Sequence, residues 1–582
     1  MSTISIHVFK GMLPIVDDRL LPDENAALAE NFYMKSGALI GLPKLRQLYS
    51  CVGSGIKTVY RLPNSYLDST YLYNSTFMEF EDINTDVLRS PVFNDTYDRY
   101  YWASSSDIPQ YNTRARIDNG DPAWDLGIEQ GGTLSINVTG GSGPTVTRVY
   151  VYTFVSEYGE EGPPSEPITG NGNEDGTWEI TVDQPDSSWN QNLTDIRIYR
   201  TLAASPTSQE YYLVTEIGIS GTDSTQQHND TAGDTDIAGN NLLESFFWFK
   251  PPDDLQGIIL MSNGIVAGWR ENEIWFSEPY RPHAWPSTYV LTTEYPIVGM
   301  GVVNQNLVIC TRGYPEIAFG QVPAAISMSK LLQIEPCISR KSILSNTRGV
   351  FYASPNGLIR VVPGLVENIT KDVISRNKWQ TLMNLFDFKA GEFDESYYAY
   401  GASTDIGAFQ ENAFQVSSPQ AFSTGDEGGI FTGILIDGRN QEISLLTDEE
   451  GVDGIVNDIW TGELFLLKDD VVYFHDQSVS EKSPISCKWK SKIYQSTEAK
   501  NLGCIQLFFE VPDNYDGTEN DYGTVKTYAD GVLVSTHNIT KSGKVMRLPS
   551  GFLAHFWQFE IDTTIRILSL HAATNVSELV NV

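Results

Sequence analysis

The chain has little of the side-chain chemistry from which metal sites and disulfide frameworks are built. Its 582 residues include seven histidines and five cysteines, with no CxxC pair. Zinc sites need cysteine or histidine ligands at close spacing, and disulfide frameworks need cysteines in even numbers. We therefore expect free buried thiols in a reducing compartment, no metal site and no cofactor. The widely spaced cysteines are Cys51, Cys310, Cys337, Cys487 and Cys504.

Recognisable catalytic motifs are absent as well. No Walker A loop, GxSxG elbow, HExxH helix or EF-hand loop occurs, and the acidic stretch 223–236 lacks regular calcium-ligand spacing. Glycoside hydrolysis needs two carboxylates that flank one bond of the substrate. Adjacent acids such as Asp469 and Asp470 point to opposite faces of a strand, so they form poor catalytic pairs. We expect that the chain is not an enzyme, and a glycoside hydrolase on a propeller scaffold stays open as the last alternative.

Long apolar runs and positive charge are also scarce. No run of 18 apolar residues and no signal-peptide core is present, so we expect no membrane-spanning segment and synthesis in a cytoplasm. Lys and Arg number 39 against 74 Asp and Glu, a formal net charge of −35. Firm nucleic-acid binding needs clustered Lys and Arg, whereas DNA could pass along an acidic wall without adhering.

Short strands and turns dominate what is present. The 48 glycines and 28 prolines are spread along the chain, which favours many short strands joined by tight turns. Paired strand patterns begin near residues 261, 303, 346 and 460, and the first three are roughly 40 to 45 residues apart, the spacing of four-stranded propeller blades. A further blade with a long insertion is predicted over 393–446, and N-terminal strands at 56–60, 69–73 and 97–102. The best helix candidates are 23–33 and 372–388.

The predicted fold class is mainly β: a β-propeller with an inserted fibronectin-type-III/Ig-like sandwich and a C-terminal β platform domain. Alternating short strands over about 110 residues predict the sandwich. An irregular array of β-sandwiches remains the structural alternative. The predicted domains are an N-terminal β region contributing to platform and propeller (1–130), the sandwich (131–243), the main blades (244–485) and the C-terminal β domain (486–582).

One strand that runs into a rigid loop is the first candidate site. Ile274, Trp275 and Phe276 have strand character, and the prolines that follow fix φ and remove donors, so the chain must turn. We expect a structural or interface motif in which His283 orders the loop by a hydrogen bond, with sugar stacking on 280–285 as the alternative. The motif residues are Trp275, Pro279, Tyr280, Arg281, Pro282, His283, Trp285 and Pro286.

A basic strand is the second candidate site. Lys488, Lys490 and Lys492 alternate with Trp489 and Ser491, so the three lysines share one face of a strand. In so acidic a chain this basic cluster predicts a contact strand.

Several segments, in a fixed order along most of the chain, resemble one protein family. They include the run YTFVSEYGEEGPPS that ends at Ser165 and the run IWFSEPYRPHAWP over 274–286. The others are 17–22, 26–31 with Gly37, 195–201, 352–358, 489–492 and the strand at Trp557. Together they resemble the tail nozzle (tail tubular protein B-like) proteins of short-tailed bacteriophages.

The resemblance implies a structural virion protein with no catalytic residues. Such a protein forms a homohexameric ring below a tail adaptor protein, and its central channel holds double-stranded genomic DNA and conducts it during ejection and genome delivery. Tail fibres or other appendages dock on the outer surface. The expected location is therefore the tail of the virion. A receptor- or glycan-binding tail protein is the first alternative.

Overall fold

The computed structural model divides the chain into two compact units. The terminal unit comprises Met1–Ile83, Arg312–Pro315 and Leu331–Val582, and the middle unit comprises Asn84–Thr311 and Glu316–Lys330. The predicted boundaries at 130, 243 and 485 stay predictions. The structure describes residues 3–34, 37–63, 72, 75–203, 210–221, 224–382, 387–401, 431–437, 442–447, 451–476, 484–511 and 521–579.

Blades of the propeller type form much of the middle unit. Each is a four-stranded antiparallel sheet whose strands pair in chain order, so each is built from one continuous stretch of sequence. They bear out the strands predicted around 97–102, 261–276 and 303–319. The strands are Asp86–Arg89, Arg99–Ala103, Gln110–Thr113 and Trp124–Asp125; Gln256–Leu260, Val266–Arg270, Glu273–Phe276 and Val290–Thr292; Ile297–Val303, Asn306–Thr311, Glu316–Phe319 and Ser327–Lys330.

The inserted sandwich also belongs to the middle unit, and its prediction is confirmed. Inward-facing aromatic and branched side chains such as Phe154, Trp178 and Ile196 fill the space between its two sheets. Numbered along the chain, strands 1, 4 and 7 form one sheet, and strands 3, 2, 5 and 6 form the other. An Ig constant-type domain instead groups its strands 1, 2, 5 and 4 in one sheet and 3, 6 and 7 in the other. One sheet contains Leu134–Thr139, Thr177–Asp183 and Thr225–Asp230, and the other Ile168–Asn173, Thr145–Ser156, Leu193–Arg200 and Tyr212–Gly218.

Two further blade-type sheets lie in the terminal unit. One is continuous in sequence, but the other takes its fourth strand, Leu45–Ser50, from the N-terminal region, where Ser50 is paired with Val471. This pairing ties distant parts of the chain together. The strands are Leu344–Asn346, Gly349–Ser354, Gly357–Val362 and Leu365–Asn368; Gly454–Asn457, Leu464–Lys468 and Val471–His475; and a separate pair, Thr58–Leu62 with Thr76–Phe80.

The platform is larger than predicted, because an 11-stranded sheet joins N-terminal, central and C-terminal segments. The blade predicted over 393–446 is therefore wrong as an independent unit, since its strands continue into this sheet. The strands are Lys389–Phe393, Ser396–Tyr400, Phe431–Asp437, Glu442–Thr447, Lys10–Met12, Asn25–Glu30, Cys487–Ser491, Ala554–Thr563, Gly523–Ala529, Val532–Asn538 and Tyr494–Lys500. A second sheet contains Thr3–Ile6, Arg566–Ala573, Cys504–Glu510 and Val545–Arg547.

The helix predicted over 23–33 is wrong. Asn25–Glu30 is a strand that pairs with Cys487–Ser491, and five of its six side chains are buried. Burial in the middle of a sheet overrides the weak helical preference of its alanines. The helix predicted near 372–388 is confirmed in shorter form as Arg376–Leu382. Further helices in the described residues are Arg114–Asn119, Asp234–Ile237 and Val576–Leu579, with 3-10 turns at Ser262–Gly264, Pro323–Ala325 and Arg340–Ser342.

The strand predicted over 69–73 lies, except for Leu72, outside the described residues. In the part of the chain that the structure covers, no helix has the length and apolar character needed to span a bilayer.

Candidate functional site

The proline-rich loop divides into a buried part and an exposed part. Trp285 is fully buried, and its indole N–H donates to the Pro282 carbonyl oxygen at 2.7 Å. Pro286 and His283 are also buried, whereas Tyr280 and Arg281 are exposed. The buried part therefore anchors the loop to its blade, and the exposed part is free to contact other molecules.

The other motif residues lie near the start of the loop. Trp275, half-buried on the strand Glu273–Phe276, donates its indole N–H to Glu273 Oε2 at 3.1 Å. Pro279, also half-buried, precedes Tyr280. Neither residue lines the cavity that the exposed part of the loop helps to form.

That cavity, here called the loop cavity, has a volume of about 600 Å³ and lies entirely in the middle unit. Tyr280, Arg281, Pro282 and His283 form part of its wall, and the sandwich strands and the linker after them supply other residues. The additional lining residues that matter for its chemistry are Arg99, Glu160, Glu161, Arg197, Glu244 and Trp248.

Guanidinium and carboxylate groups are paired around the loop cavity. Arg99 Nη1 lies 2.6 Å from Glu160 Oε1, and Arg197 Nη1 lies 2.8 Å from Glu161 Oε2. Arg281 Nη2 faces Glu244 Oε2 at 3.6 Å. Burial raises the pKa of Glu160, but the adjacent Arg99 opposes this and favours the carboxylate. A fourth lining glutamate, Glu216, also faces Arg197 at 2.6 Å, so the wall is strongly polar and each of its three arginines is paired with a carboxylate.

His283 is neutral and has an unused ring nitrogen. Burial, followed by the charges of Arg99 and Arg281, lowers the pKa of His283 to about 3. Its Nδ1 lies 3.7 Å from Glu160 Oε1, which is longer than a hydrogen bond. Its Nε2 has no hydrogen-bond partner in the described residues. The hydrogen bond by which we expected His283 to order the loop is thus not formed, and its ring instead meets Trp248 edge-on at 6.0 Å.

Aromatic rings lie beside these polar groups. The guanidinium carbon of Arg281 is 4.2 Å from the centre of the Trp248 ring. Tyr280 is 54% exposed although its φ of 60° is unusual for an aromatic residue. Its N–H donates to the Gly264 carbonyl oxygen at 2.8 Å, and a Cβ on Gly264 would come within 2.5 Å of its ring. The fold therefore holds an aromatic face outward in a strained conformation, which is common at binding sites.

The lysine strand, residues 487–492 of the terminal unit, has the predicted alternation. Trp489 and Ser491 are buried, and the alternating Lys488, Lys490 and Lys492 are half-buried. Lys488 Nζ lies 3.3 Å from Glu30, Lys490 Nζ 4.0 Å from Glu560 and Lys492 Nζ 3.0 Å from Asp23. Burial lowers the pKa of Lys490. Because each ammonium faces a carboxylate, the strand offers an external partner less positive charge than its sequence indicates.

Two aspartates of the acidic stretch 223–236 and the Cys51 thiol also have defined environments. Asp230 and Asp234, in the stretch considered for calcium, both accept hydrogen bonds from Arg200. Burial raises the pKa of the Cys51 thiol to about 11, so it is protonated at neutral pH. Within the described residues, no group of three or more His, Cys, Asp or Glu side chains is arranged to hold a metal ion.

Sequence reasoning missed most of the loop cavity, because thirteen of its seventeen lining residues lie outside the loop. Two signals were available: Trp248 belongs to the aromatic run Phe-Phe-Trp-Phe at 246–249, and Glu160 and Glu161 belong to the run that ends at Ser165. Neither signal indicates proximity to Tyr280, because the segments are more than thirty residues away in sequence.

No family model matches the chain, and no curated protein matches its sequence. Among solved structures, it is similar to the Pan2 WD40 domain of Neurospora crassa at 8% identity, over 52% of this chain and 87% of that chain, with a TM-score of 0.22. It is similar to BBS1N in complex with ARL6DN at 6% identity, over 74% and 98%, with a TM-score of 0.26.

A third similar structure is PorZ, a bacterial surface component of the type-IX secretion system of Porphyromonas gingivalis. The identity is 10%, the coverage is 87% of this chain and 53% of that chain, and the TM-score is 0.22. Similarity at these TM-scores says nothing about function, and the assignment of the blades rests on the strand pairing described above.

Proposed function

We propose that the chain is a structural virion protein that forms the ring-shaped nozzle at the distal end of a short phage tail. It holds genomic DNA and then conducts it through an acidic central channel, while tail fibres dock on the outside. The proposal is supported by the ordered segments that resemble tail nozzle proteins and by the formal net charge of −35. Like charge on the wall and on the phosphates would keep DNA from adhering.

The pairing of the lysine strand is the observation that carries this proposal. Phosphate binding needs accessible Lys and Arg, but Lys488, Lys490 and Lys492 each face a carboxylate. The basic cluster that the sequence offers is therefore largely compensated within the fold. DNA that meets this protein would encounter mainly acidic surface.

A structural role without catalysis is part of the proposal. Of the cavity carboxylates, Glu161 accepts hydrogen bonds from Arg197 at 2.8 Å, Tyr199 at 2.8 Å and Thr153 at 2.7 Å. These three donors occupy both oxygens of Glu161, which leaves little of the carboxyl group available to a substrate. This disfavours Glu161 as the general acid of a glycoside hydrolase.

Single-particle imaging of the purified chain and of assembled tails tests the ring. We expect a closed ring with six copies whose channel is lined mainly by Asp and Glu. A chain that stays monomeric and is absent from the tail, or a channel lined by Lys and Arg, would overturn the proposal.

Gel-shift measurements with double-stranded DNA test the surface charge. We expect no retention even at about 50 mM salt, where phosphate contacts are strong. As a matched variant, Asp23→Asn removes the exposed partner of Lys492 and should increase any weak retention. Salt-sensitive retention by the unmodified chain would contradict an acidic conduit.

A further inference from the structure

The loop cavity contains features that a DNA conduit does not require. We propose that it is a binding site for a neutral, hydroxyl-rich ligand, namely a sugar residue of a glycan. The site combines an unused ring nitrogen of His283, polar walls whose buried carboxylates are paired with arginines, and the exposed ring of Tyr280. The proposal does not depend on ring assembly, because all of these residues belong to the middle unit.

The size and lining of the cavity suit a polar small ligand. Its volume of about 600 Å³ falls in the range of roughly 300–1,000 Å³ that is typical of ligand pockets. Such pockets are usually lined by apolar groups with a few polar ones. Here the lining side chains are mainly charged and polar. A ligand rich in hydrogen-bonding groups can replace the hydrogen bonds that these side chains lose when water is displaced, whereas an apolar ligand cannot.

The pairing of charges favours a neutral ligand. Arg99 and Arg197 are bound to Glu160 and Glu161 at 2.6 and 2.8 Å. A charged ligand group that reached these two pairs would have to displace a carboxylate or a guanidinium. Breaking a buried ion pair leaves an uncompensated charge and is strongly unfavourable. A neutral ligand avoids this cost.

His283 supplies a hydrogen-bond acceptor of defined position. Its Nδ1 faces Glu160 Oε1 at 3.7 Å, so the carboxylate favours the tautomer that carries its proton on Nδ1. Nε2 then has a free lone pair, and it is buried without a partner in the described residues. A hydroxyl group can donate to this nitrogen, which removes the cost of leaving it unsatisfied.

The aromatic residues supply a surface on which a sugar ring can lie. Tyr280 is exposed and held by its hydrogen bond to Gly264. Arg281 is fixed against the Trp248 ring at 4.2 Å, and its side chain is 44% exposed, so its N–H groups can still donate to hydroxyl oxygens. Stacking on the ring and donation from the guanidinium together would orient the ligand.

Ligand-observed NMR and calorimetry on the full chain test the proposal. The probes are the neutral sugars glucose, galactose, N-acetylglucosamine, maltose and lactose, with glucuronic acid and glucosamine as charged counterparts. We expect at least one neutral sugar to bind. Its affinity should fall at least tenfold in Tyr280→Gly, which removes the ring and tolerates the positive φ, and in His283→Phe, which removes the acceptor.

Phe319→Ala is the matched control, because Phe319 is an exposed aromatic residue of the same unit and does not line the cavity. It should bind the sugar as the unmodified chain does. If His283→Phe fails to fold, the sugar affinity of Tyr280→Gly still tests the proposal. Absence of binding by every neutral sugar, equal binding in Tyr280→Gly, tighter binding of a charged sugar, or cleavage of maltose or lactose would each overturn the proposal.

Discussion

The loop cavity and the lysine strand both pair cations with carboxylates, yet they use these pairs differently. Around the cavity, arginines pair through a flat guanidinium that can also stack on a ring, as Arg281 does on Trp248. In the lysine strand, single ammonium groups face carboxylates from other strands of one sheet, such as Glu30 and Glu560. A paired guanidinium keeps a fixed fork of donors, whereas an ammonium acts as a compact point charge. The first arrangement borders the loop cavity, where such a fork can orient a ligand.

Removing a buried tryptophan should disrupt either region to a similar and large extent. Trp285 and Trp489 are both fully buried, and the indole N–H of Trp489 donates to the Lys10 carbonyl oxygen at 3.0 Å. We expect Trp285→Ala and Trp489→Ala each to lower the free energy of unfolding by about 3–5 kcal/mol. Urea unfolding measures this, with Phe319→Ala as the exposed control. A loss below about 1 kcal/mol would show that the segment is not part of a packed core.

Acid should weaken the loop region through His283. The pKa of His283 is about 3 in the folded chain and 6.5 as the ordinary value. Below pH 6.5 the His283 side chain therefore binds a proton in the unfolded chain but not in the folded chain. The free energy of unfolding decreases as the pH falls from 6.5 toward 3. Between pH 7 and pH 5 the loss from this group is on the order of 2 kcal/mol.

Urea unfolding at pH 7, 6 and 5 checks this expectation, with His283→Phe as the comparison. The variant should lose less stability on acidification, although His475, whose burial lowers its pKa to about 4, still contributes in both proteins. Equal pH dependence in the two proteins would mean that His283 is accessible to protons in the folded state.

Local sequence patterns predicted the blades well, but they did not predict the elements that pair with strands far away in the sequence. The strand and turn signals near 261–276 lie within one continuous sheet, so sequence alone indicates it. The blade predicted over 393–446 and the helix over 23–33 failed for one reason: both segments join the 11-stranded sheet through partners hundreds of residues away. The cavity was predicted only in small part, because Tyr280 and His283 belong to a visible motif but their neighbour Trp248 does not.

Removing a lysine from the lysine strand should have a moderate effect on stability and none on DNA binding. Lys490 faces Glu560, which also meets Lys526 at 3.2 Å and accepts from Tyr528 at 3.0 Å. Because these partners remain, we expect Lys490→Gln to cost about 1 kcal/mol, between an exposed pair and a buried one. Urea unfolding and gel shifts check this, with exposed Lys541→Gln as the control. Weaker DNA retention in Lys490→Gln alone would show that the strand does contact phosphate.

Replacing Arg281 should have the smallest effect on stability and thereby separates binding from folding in the loop region. Its partner Glu244 is 73% exposed, and exposed ion pairs and cation–π contacts are each worth up to about 1 kcal/mol. We expect Arg281→Ala to change the free energy of unfolding by about 0.5 kcal/mol, because the side chain is partly in water and Trp248 keeps its other contacts.

The sugar affinity of Arg281→Ala should fall more steeply than its stability, since the guanidinium that orients hydroxyl groups is lost. Arg281→Lys keeps the charge without the flat donor fork, so it should recover stability but not affinity. Equal recovery of both in Arg281→Lys would mean that charge alone, rather than the stacked guanidinium, defines this wall of the cavity.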